Sequence, residues 1–404
     1  MRRSLDDSLR DRRTPTRPLA STKIGRMSAT AVRIPQALGM LLAMRRVAPA
    51  LALFGLVVAC GPRPEPAPPP AAPPAPMHSE ADEGLRFAEL GTCALESGER
   101  IEECRIGYRT FGTLAPDRSN VVLFPTWFTG TTKALTSVVP GKLVDTHRFF
   151  LVLVDALGDG VSSSPSNSRR QPRVRFPRVT IHDMVEAQRR LVREVLGVTR
   201  LYAVAGISMG GMQTFEWAVA HPSELGRAVS IVGTPQLTSH DLLLWNAEKH
   251  ALEADVAYAG GEYRGRPAVR AVQDIHWLML STPRHRAAET SRAEFERWVE
   301  EKERDTSFDW NDWRWQLEAM LRHDVARAHG GSLESAAKGV TAKMLVVVAR
   351  HDHMVEPGPS EAFARALGAR GELVVLDSSC GHLAPTEGCE AARLGTAVRG
   401  FLEE

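Results

Sequence analysis

The stretch Leu201–Ala220, LYAVAGISMGGMQTFEWAVA, decides how the rest of the chain reads. Leu201 to Ala205 is a short apolar run with the length and composition of a buried strand. It meets Gly206-Ile207-Ser208-Met209-Gly210-Gly211, after which Met212, Phe215, Trp217 and Ala218 carry helical spacing. Strand, G-x-S-x-G and helix in that order is the setting in which a serine is lifted off a sheet on a sharp turn. So tight a turn excludes bulky side chains beside the serine, which is the reason for Gly206 and Gly210. The serine then sits strained at a helix N-terminus, where the dipole favours a developing negative charge. The plainer reading is a glycine-rich turn without chemistry, and the rest of the chain weighs against it.

The 404 residues suffice for one large domain with an insertion, or for two domains. With 50 basic against 48 acidic residues, no bulk field attracts nucleic acid, and none is expected as a partner.

The front of the chain is unlike the remainder. Residues 1–43 are rich in Arg, Ser, Thr and Pro, lack a sustained apolar face and read as disordered. Residues 44–60 open on basic Met44-Arg45-Arg46, continue through an apolar run from Val47 to Ala59, and end at Cys60. That is the layout of a secretory signal, and the run is too short to span a bilayer alone. Val57-Val58-Ala59-Cys60 resembles the lipobox of bacterial lipoproteins, which implies lipidation of Cys60 and a mature chain beginning there. Residues 61–84 are a Pro/Ala-rich, semi-rigid tether. The expected location is the bacterial cell envelope, with a lipid anchor in the membrane and the protein facing the periplasm or the surface. A buried apolar helix with an incidental cysteine is the bland alternative. A signal placed 44 residues in is badly placed, so Met44 or Met40 is the expected start of translation.

Export changes the meaning of the other cysteines, since an oxidising compartment favours disulfides. Cys93 and Cys104 flank a Glu96-Ser97-Gly98-Glu99 turn, and Cys380 and Cys389 bracket a loop containing His382. Two pairs of free buried thiols are the alternative. C-x-x-C and zinc spacings are absent, so no metal site is expected.

Along the body, Leu85 to Leu114 alternates like a hairpin turning at Ser97-Gly98. Asn120 to Trp127 and Phe149 to Leu157 are continuous apolar runs, as in strands buried on both faces of a parallel sheet. His182 to Leu196 gathers Met184, Val185, Leu191, Val192 and Leu196 on one helical face. Further strands are expected at Arg227–Val232, Met344–Ala349 and Leu373–Leu376, with helices at Ser360–Leu367 and Glu390–Leu402. Such alternation predicts a mostly parallel, doubly wound α/β sheet. Between residues 236 and 338 the strand signal vanishes, and six of the eight tryptophans gather there. A helical lid over the site is the expectation, most of its tryptophans packing the lid's own core. The division is a core at 85–235 and 339–404, with the lid insertion at 236–338.

A serine hydroxyl is a poor nucleophile until a base takes its proton and a third group orients that base. On sheets of this kind the order along the chain is serine, acid, histidine. The strand at Met344–Ala349 ends in Arg350-His351-Asp352-His353, which places Asp352 at a carboxyl end of the sheet. The strand at Leu373–Leu376 leads through Asp377 to His382. Ser208 is therefore read as nucleophile, His382 as base and acid, and Asp352 as orienter. Asp377 lies too close to His382 in sequence to be the first choice, and His351 and His353 read as surface histidines. A tetrahedral oxyanion needs two backbone donors. Met209 supplies one; after Pro125, which has no N–H, Phe128 or Trp127 supplies the other, Phe128 preferred.

Phe176-Pro177, Val179-Thr180-Ile181, Asp183-Met184-Val185, Ala187-Gln188 and Gly206 through Trp217, taken together, closely resemble the homoserine O-acetyltransferases. Asp255 and Gly260-Gly261-Glu262-Tyr263 resemble that family's lid segment, and the likeness runs from about Leu85 to the C-terminus. The resemblance implies an α/β-hydrolase fold with a helical lid and a triad on Ser208, Asp352 and His382. It also implies acetyl transfer from coenzyme A through an acyl-serine, and a homodimer as one assembly. The departures bear on substrate. Family members follow the catalytic histidine with an aspartate that helps hold the homoserine amine, whereas Leu383 stands here. Their oxyanion loop reads His-Ala-Leu-Thr-Gly, against Thr126-Trp127-Phe128-Thr129-Gly130. The lid arginine that grips the homoserine carboxylate falls on Gln273, with Arg270 one turn off.

Leu, Trp and Phe in place of groups meant for a zwitterion favour an apolar or ester substrate. The leading expectation is a lipid-anchored serine hydrolase or acyltransferase acting on a small-molecule ester or acyl donor, with neither cofactor nor metal. A homoserine O-acetyltransferase using acetyl-CoA is the second, and a non-catalytic envelope binding lipoprotein on the same fold the third.

Overall fold

The computed structural model describes residues 84–304, 307–386 and 388–404. The segment 1–43, the signal at 44–60 with Cys60, and the tether apart from Gly84 lie outside the described residues.

Alternating burial opens the sheet with a hairpin. β1 (Arg86–Ala94) and β2 (Arg100–Phe111) pair antiparallel. The turn closes where the Gly98 N–H donates to the Leu95 carbonyl at 2.9 Å. A disulfide joins Cys93 to Cys104 across the pair, Cα to Cα 5.7 Å. The continuous apolar runs become the central strands. β3 (Val121–Pro125) is followed by the short α1 (Thr132–Leu135) and β4 (Phe150–Val154). α2 (Ile181–Arg190) starts on a capping box, with the Thr180 side chain and Asp183 satisfying each other's backbone N–H. It continues into a π turn over Leu191–Val195, within the range expected to be helical. β5 (Leu201–Ile207), α3 (Met209–Ala220) and β6 (Leu225–Ile231) follow.

The insertion is helical, as its composition predicts. It carries α4 (Ser239–Ala254), α5 (Arg270–Leu280), α6 (Pro283–Glu289), α7 (Phe295–Glu303), α8 (Trp310–Leu321) and α9 (Leu333–Gly339). Its last helix, α9, packs on α3 and on the later α10 (Gly358–Ala366), so it braces the core rather than the lid. β7 (Lys343–Ala349), β8 (Gly371–Leu376) and α11 (Ala391–Glu403) complete the chain. Strand order is β1-β2-β4-β3-β5-β6-β7-β8, parallel from β4 to β8. Helices cover both faces, so neighbours in one strand belong to different cores. Leu123 and Val204 pack toward α2 and α3; Phe124 and Ala203 pack in the core that includes Leu135 and Phe401. Both faces being dry explains why these strands are apolar throughout.

β5 sits centrally, between β3 and β6, and its carboxyl end carries Ser208. The strand-to-helix turn is closer than side chains allow. A Cβ on Gly206 would lie 2.3 Å from the Gly210 carbonyl carbon, and one on Gly210 would lie 2.6 Å from the Pro125 oxygen. Gly206→Ala therefore forces backbone apart, and overpacking of this kind costs about 1–3 kcal/mol. We expect this variant to melt several degrees lower and to lose turnover beyond that; a variant matching wild type in both melting temperature and turnover would show the contact to be relaxable.

Candidate active site

Three loops at the carboxyl edge of the sheet bring the serine, acid and histidine together. Ser208 leaves β5 with φ 56° and ψ −118°, a region that side chains rarely adopt. Its N–H donates to the Ile231 carbonyl at 2.8 Å, which holds the strained residue to the sheet. Asp352 follows β7, and one of its oxygens, Oδ1, accepts the Met354 and Val355 N–H groups at 2.9 Å each. His382 lies in a short turn after β8. Its Nδ1 is 2.7 Å from Asp352 Oδ2, and its Nε2 is 2.9 Å from Ser208 Oγ. The carboxylate thus selects the tautomer with hydrogen on Nδ1, leaving Nε2 to accept the serine proton. A disulfide between Cys380 and Cys389 closes the His382 loop, Cα to Cα 6.3 Å.

The rival residues lie elsewhere. Asp377 is exposed and ion-paired, with Arg350 at 3.0 Å and His351 at 3.4 Å. His353 is also exposed, its carbonyl hydrogen-bonded to His240 at 3.0 Å.

The loop after β3 is held from three sides. Thr126 N–H donates to the Val154 carbonyl, Gln213 Nε2 donates to the Thr126 carbonyl at 3.1 Å, and Thr129 N–H donates to Gln316 Oε1 of α8 at 2.8 Å. Among the described residues the N–H groups of Trp127, Phe128 and Met209 have no acceptor, so all three expected oxyanion donors are available. The Phe128 ring is buried under the lid, 4.6 Å from Trp313 and 5.8 Å from Trp245.

Beneath this loop lies a buried acid pair that the sequence reading missed. Asp155 accepts the Thr132 N–H at 2.6 Å and its hydroxyl at 2.7 Å; Asp159 accepts the Val161 and Ser162 N–H groups at 2.8 and 3.0 Å. Burial, and then the charge of Asp155, push the Asp159 carboxyl well above the usual range. Gln213 and Gln316 were missed as well. Each is a polar residue on the buried face of a helix, and that pattern is the signal that marks them.

A cavity of about 1180 Å³ opens over Ser208 and His382. Aromatic and aliphatic groups, including Trp127, Trp245, Trp277, Leu280, Met354 and Leu383, make up much of its wall. Lys142 and Arg399 line it, and no carboxylate does among the described residues. Gln273 is buried and Arg270 is exposed, 3.1 Å from Glu303; neither lines the cavity. His276, one turn beyond Gln273, does.

Residues 120–388 match the family described as the alpha/beta hydrolase fold. The chain belongs to the α/β-hydrolase family. It is 34% identical over 322 residues to a probable esterase of Corynebacterium glutamicum, covering 73% of this chain and 88% of that protein. It is 31% identical over 333 residues to a homoserine O-acetyltransferase of Acidiphilium cryptum, covering 71% and 87%. Among solved structures, an acetylester hydrolase from Corynebacterium glutamicum superimposes with a TM-score of 0.74 at 29% identity, over 79% of this chain and 96% of that one. The α/β-hydrolase thus sits among esterases and acetyltransferases, and it is an enzyme of the serine hydrolase and acyltransferase type.

Asp159 gives the site a pH signature. An aspartate in the unfolded chain titrates near pH 4, at about 3.9, and folding raises Asp159 above that. The folded chain then holds the extra proton, so this group's contribution is fully present below about pH 4 and is lost as pH rises toward the folded value. Asp159→Asn keeps the shape and cannot ionise. The melting temperature of the variant relative to wild type should rise as pH climbs above about 4; a constant difference would mean that Asp159 titrates alike in both states.

Proposed function

We propose that this α/β-hydrolase is a carboxylic-ester hydrolase working through an acyl-Ser208. The observation that carries the reading is the cavity wall: Leu383 follows His382, and no carboxylate faces the cavity among the described residues. A zwitterionic acceptor would meet the apolar Leu383 rather than a carboxylate beside His382, which disfavours binding. The esterase and the acetylester hydrolase described above support the same choice.

The steps follow from the geometry. Ser208 Oγ attacks the ester carbonyl carbon as its proton passes to His382 Nε2, and Asp352 stabilises the resulting imidazolium. The negative oxygen is received by the Met209 N–H and by that of Phe128, with Trp127 as the adjacent alternative. Collapse breaks the bond to the alcohol oxygen, which takes the proton from His382. Water then attacks the acyl-serine, giving its proton to His382, and the acid leaves as Ser208 regains its hydrogen. Each lost oxyanion donor costs about a hundredfold or more in turnover.

The test is fluorophosphonate labelling and nitrophenyl acetate turnover of wild type beside Ser208→Ala. Both should vanish in the mutant, and homoserine should not raise the rate of acetyl release. A folded wild type that neither labels nor turns over would defeat the reading; a strong acceleration by homoserine would favour acyl transfer.

We also propose that the enzyme is exported and held on the bacterial envelope by a lipid on Cys60. Basic segment, apolar run, lipobox and tether in sequence support this, as do two disulfides, which persist in oxidising compartments. Cys60→Ser should move the protein from the membrane fraction to the soluble fraction; unchanged fractionation would count against the anchor.

A further inference from the structure

A cavity-lining histidine, backed by a buried carboxyl outside the wall, takes no part in the ester chemistry of Ser208. Glu248 of α4 is completely enclosed, and His276 of α5 keeps 17% of its side chain exposed while lining the cavity. His276 Nδ1 lies 3.1 Å from Glu248 Oε1. Glu248 Oε2 has no partner among the described residues, and burial pushes this carboxyl above its usual range. The surroundings are aromatic: the His276 ring lies 4.9 Å from Trp313, 5.9 Å from Phe128 and 6.3 Å from Trp245.

A carboxyl buried with one oxygen unmet destabilises the lid, and an apolar pair of similar volume would pack there at less cost. Arrangements of this kind concentrate where a group has a further task. The bond from Nδ1 to Glu248 fixes the imidazole and leaves Nε2 as the nitrogen without a partner among the described residues. The size of the cavity points to a larger ligand than an acetate ester. About 1180 Å³ exceeds the range of about 300–1,000 Å³ that encloses drug-sized molecules.

We propose that His276, oriented by Glu248, is a specificity-determining residue that receives a hydroxyl group carried by the ester substrate away from the scissile bond. The inference rests on the ester-hydrolase reading and names its substrate class: hydroxylated esters with an apolar body that fills the wall of Trp245, Trp277 and Leu280. A hydroxyl both donates and accepts, so it satisfies Nε2 in either tautomer. The contact is made equally in the ground state and the transition state, so it acts on KM more than on kcat.

The experiment compares nitrophenyl esters of equal chain length with and without a hydroxyl, its position varied along the acyl chain. Wild type should favour one hydroxylated ester by about tenfold in kcat/KM, chiefly through KM. His276→Phe keeps a ring against Phe128 and Trp313, and should lower kcat/KM for the hydroxylated ester about tenfold more than for its plain partner. His276→Gln, which still forms hydrogen bonds, should retain part of the preference and serves if the Phe variant fails to fold. Absence of any preference in wild type, its survival in the variants, or equal losses on both esters would overturn the proposal. If wild type neither labels nor turns over, the reading of Ser208 fails. Binding of the same two esters to Ser208→Ala, followed by tryptophan fluorescence, still judges His276, and equal affinities would overturn its role.

Discussion

The site depends on one backbone contact, the approach of Gly206 to Gly210 across the turn between β5 and α3. A gap too small for any Cβ lets the strand reverse into the helix within a few residues, and Ser208 takes the left-handed conformation that results. The strain is local, while the residues that oppose it are spread through the sheet. Ser208 is held to β6 through the Ile231 carbonyl, and Gln213, one turn into α3, holds the Thr126 carbonyl. A nucleophile held so firmly loses little entropy when it reacts.

Around that fixed serine, hydrogen bonds set the direction of each partner. Two backbone N–H groups occupy one oxygen of Asp352, so the other is committed to His382. The imidazole in turn is committed to one tautomer, facing Ser208. In the loop after β3, Thr126, Thr129 and Gly130 donate their N–H groups elsewhere, while those of Trp127 and Phe128 have no acceptor among the described residues. Pre-aligned dipoles in a dry site are the principal means by which such enzymes lower their barrier.

Much of this was legible in the sequence because the signals were local. G-x-S-x-G between a strand and a helix marks Ser208, and the apolar runs mark the strands whose ends bear Asp352 and His382. The hairpin turn at Ser97-Gly98 was legible for the same reason, and the structure pairs Cys93 with Cys104 and Cys380 with Cys389, a connectivity that the spacing left open. What the sequence did not disclose are contacts between distant segments. Gln316 meets Thr129 across 187 residues, and nothing in the neighbourhood of either announces the other. Glu248 falls on the buried face of α4 together with Asp241, Leu244, Trp245 and Leu252, so its inward position was inferable, whereas its meeting with His276 was not. Gln273 drew attention by comparison with an arginine, but it is His276, one turn further on, that faces the cavity.

The lid is joined to the core at several separated points. The Trp315 indole donates to the Phe176 and Pro177 carbonyls, Asp241 accepts the Glu356 N–H, and Thr282 donates to the Ser379 carbonyl. These bonds end on the segment before α2, on the loop that carries Asp352 and on the loop that leads to His382. Lifting the lid as a body would break them together and would disturb the acid and the base at the same moment. The roof is therefore part of the catalytic frame. Lid and catalytic loops form one mechanical unit in this sense, and a change in the seating of either is carried to the other.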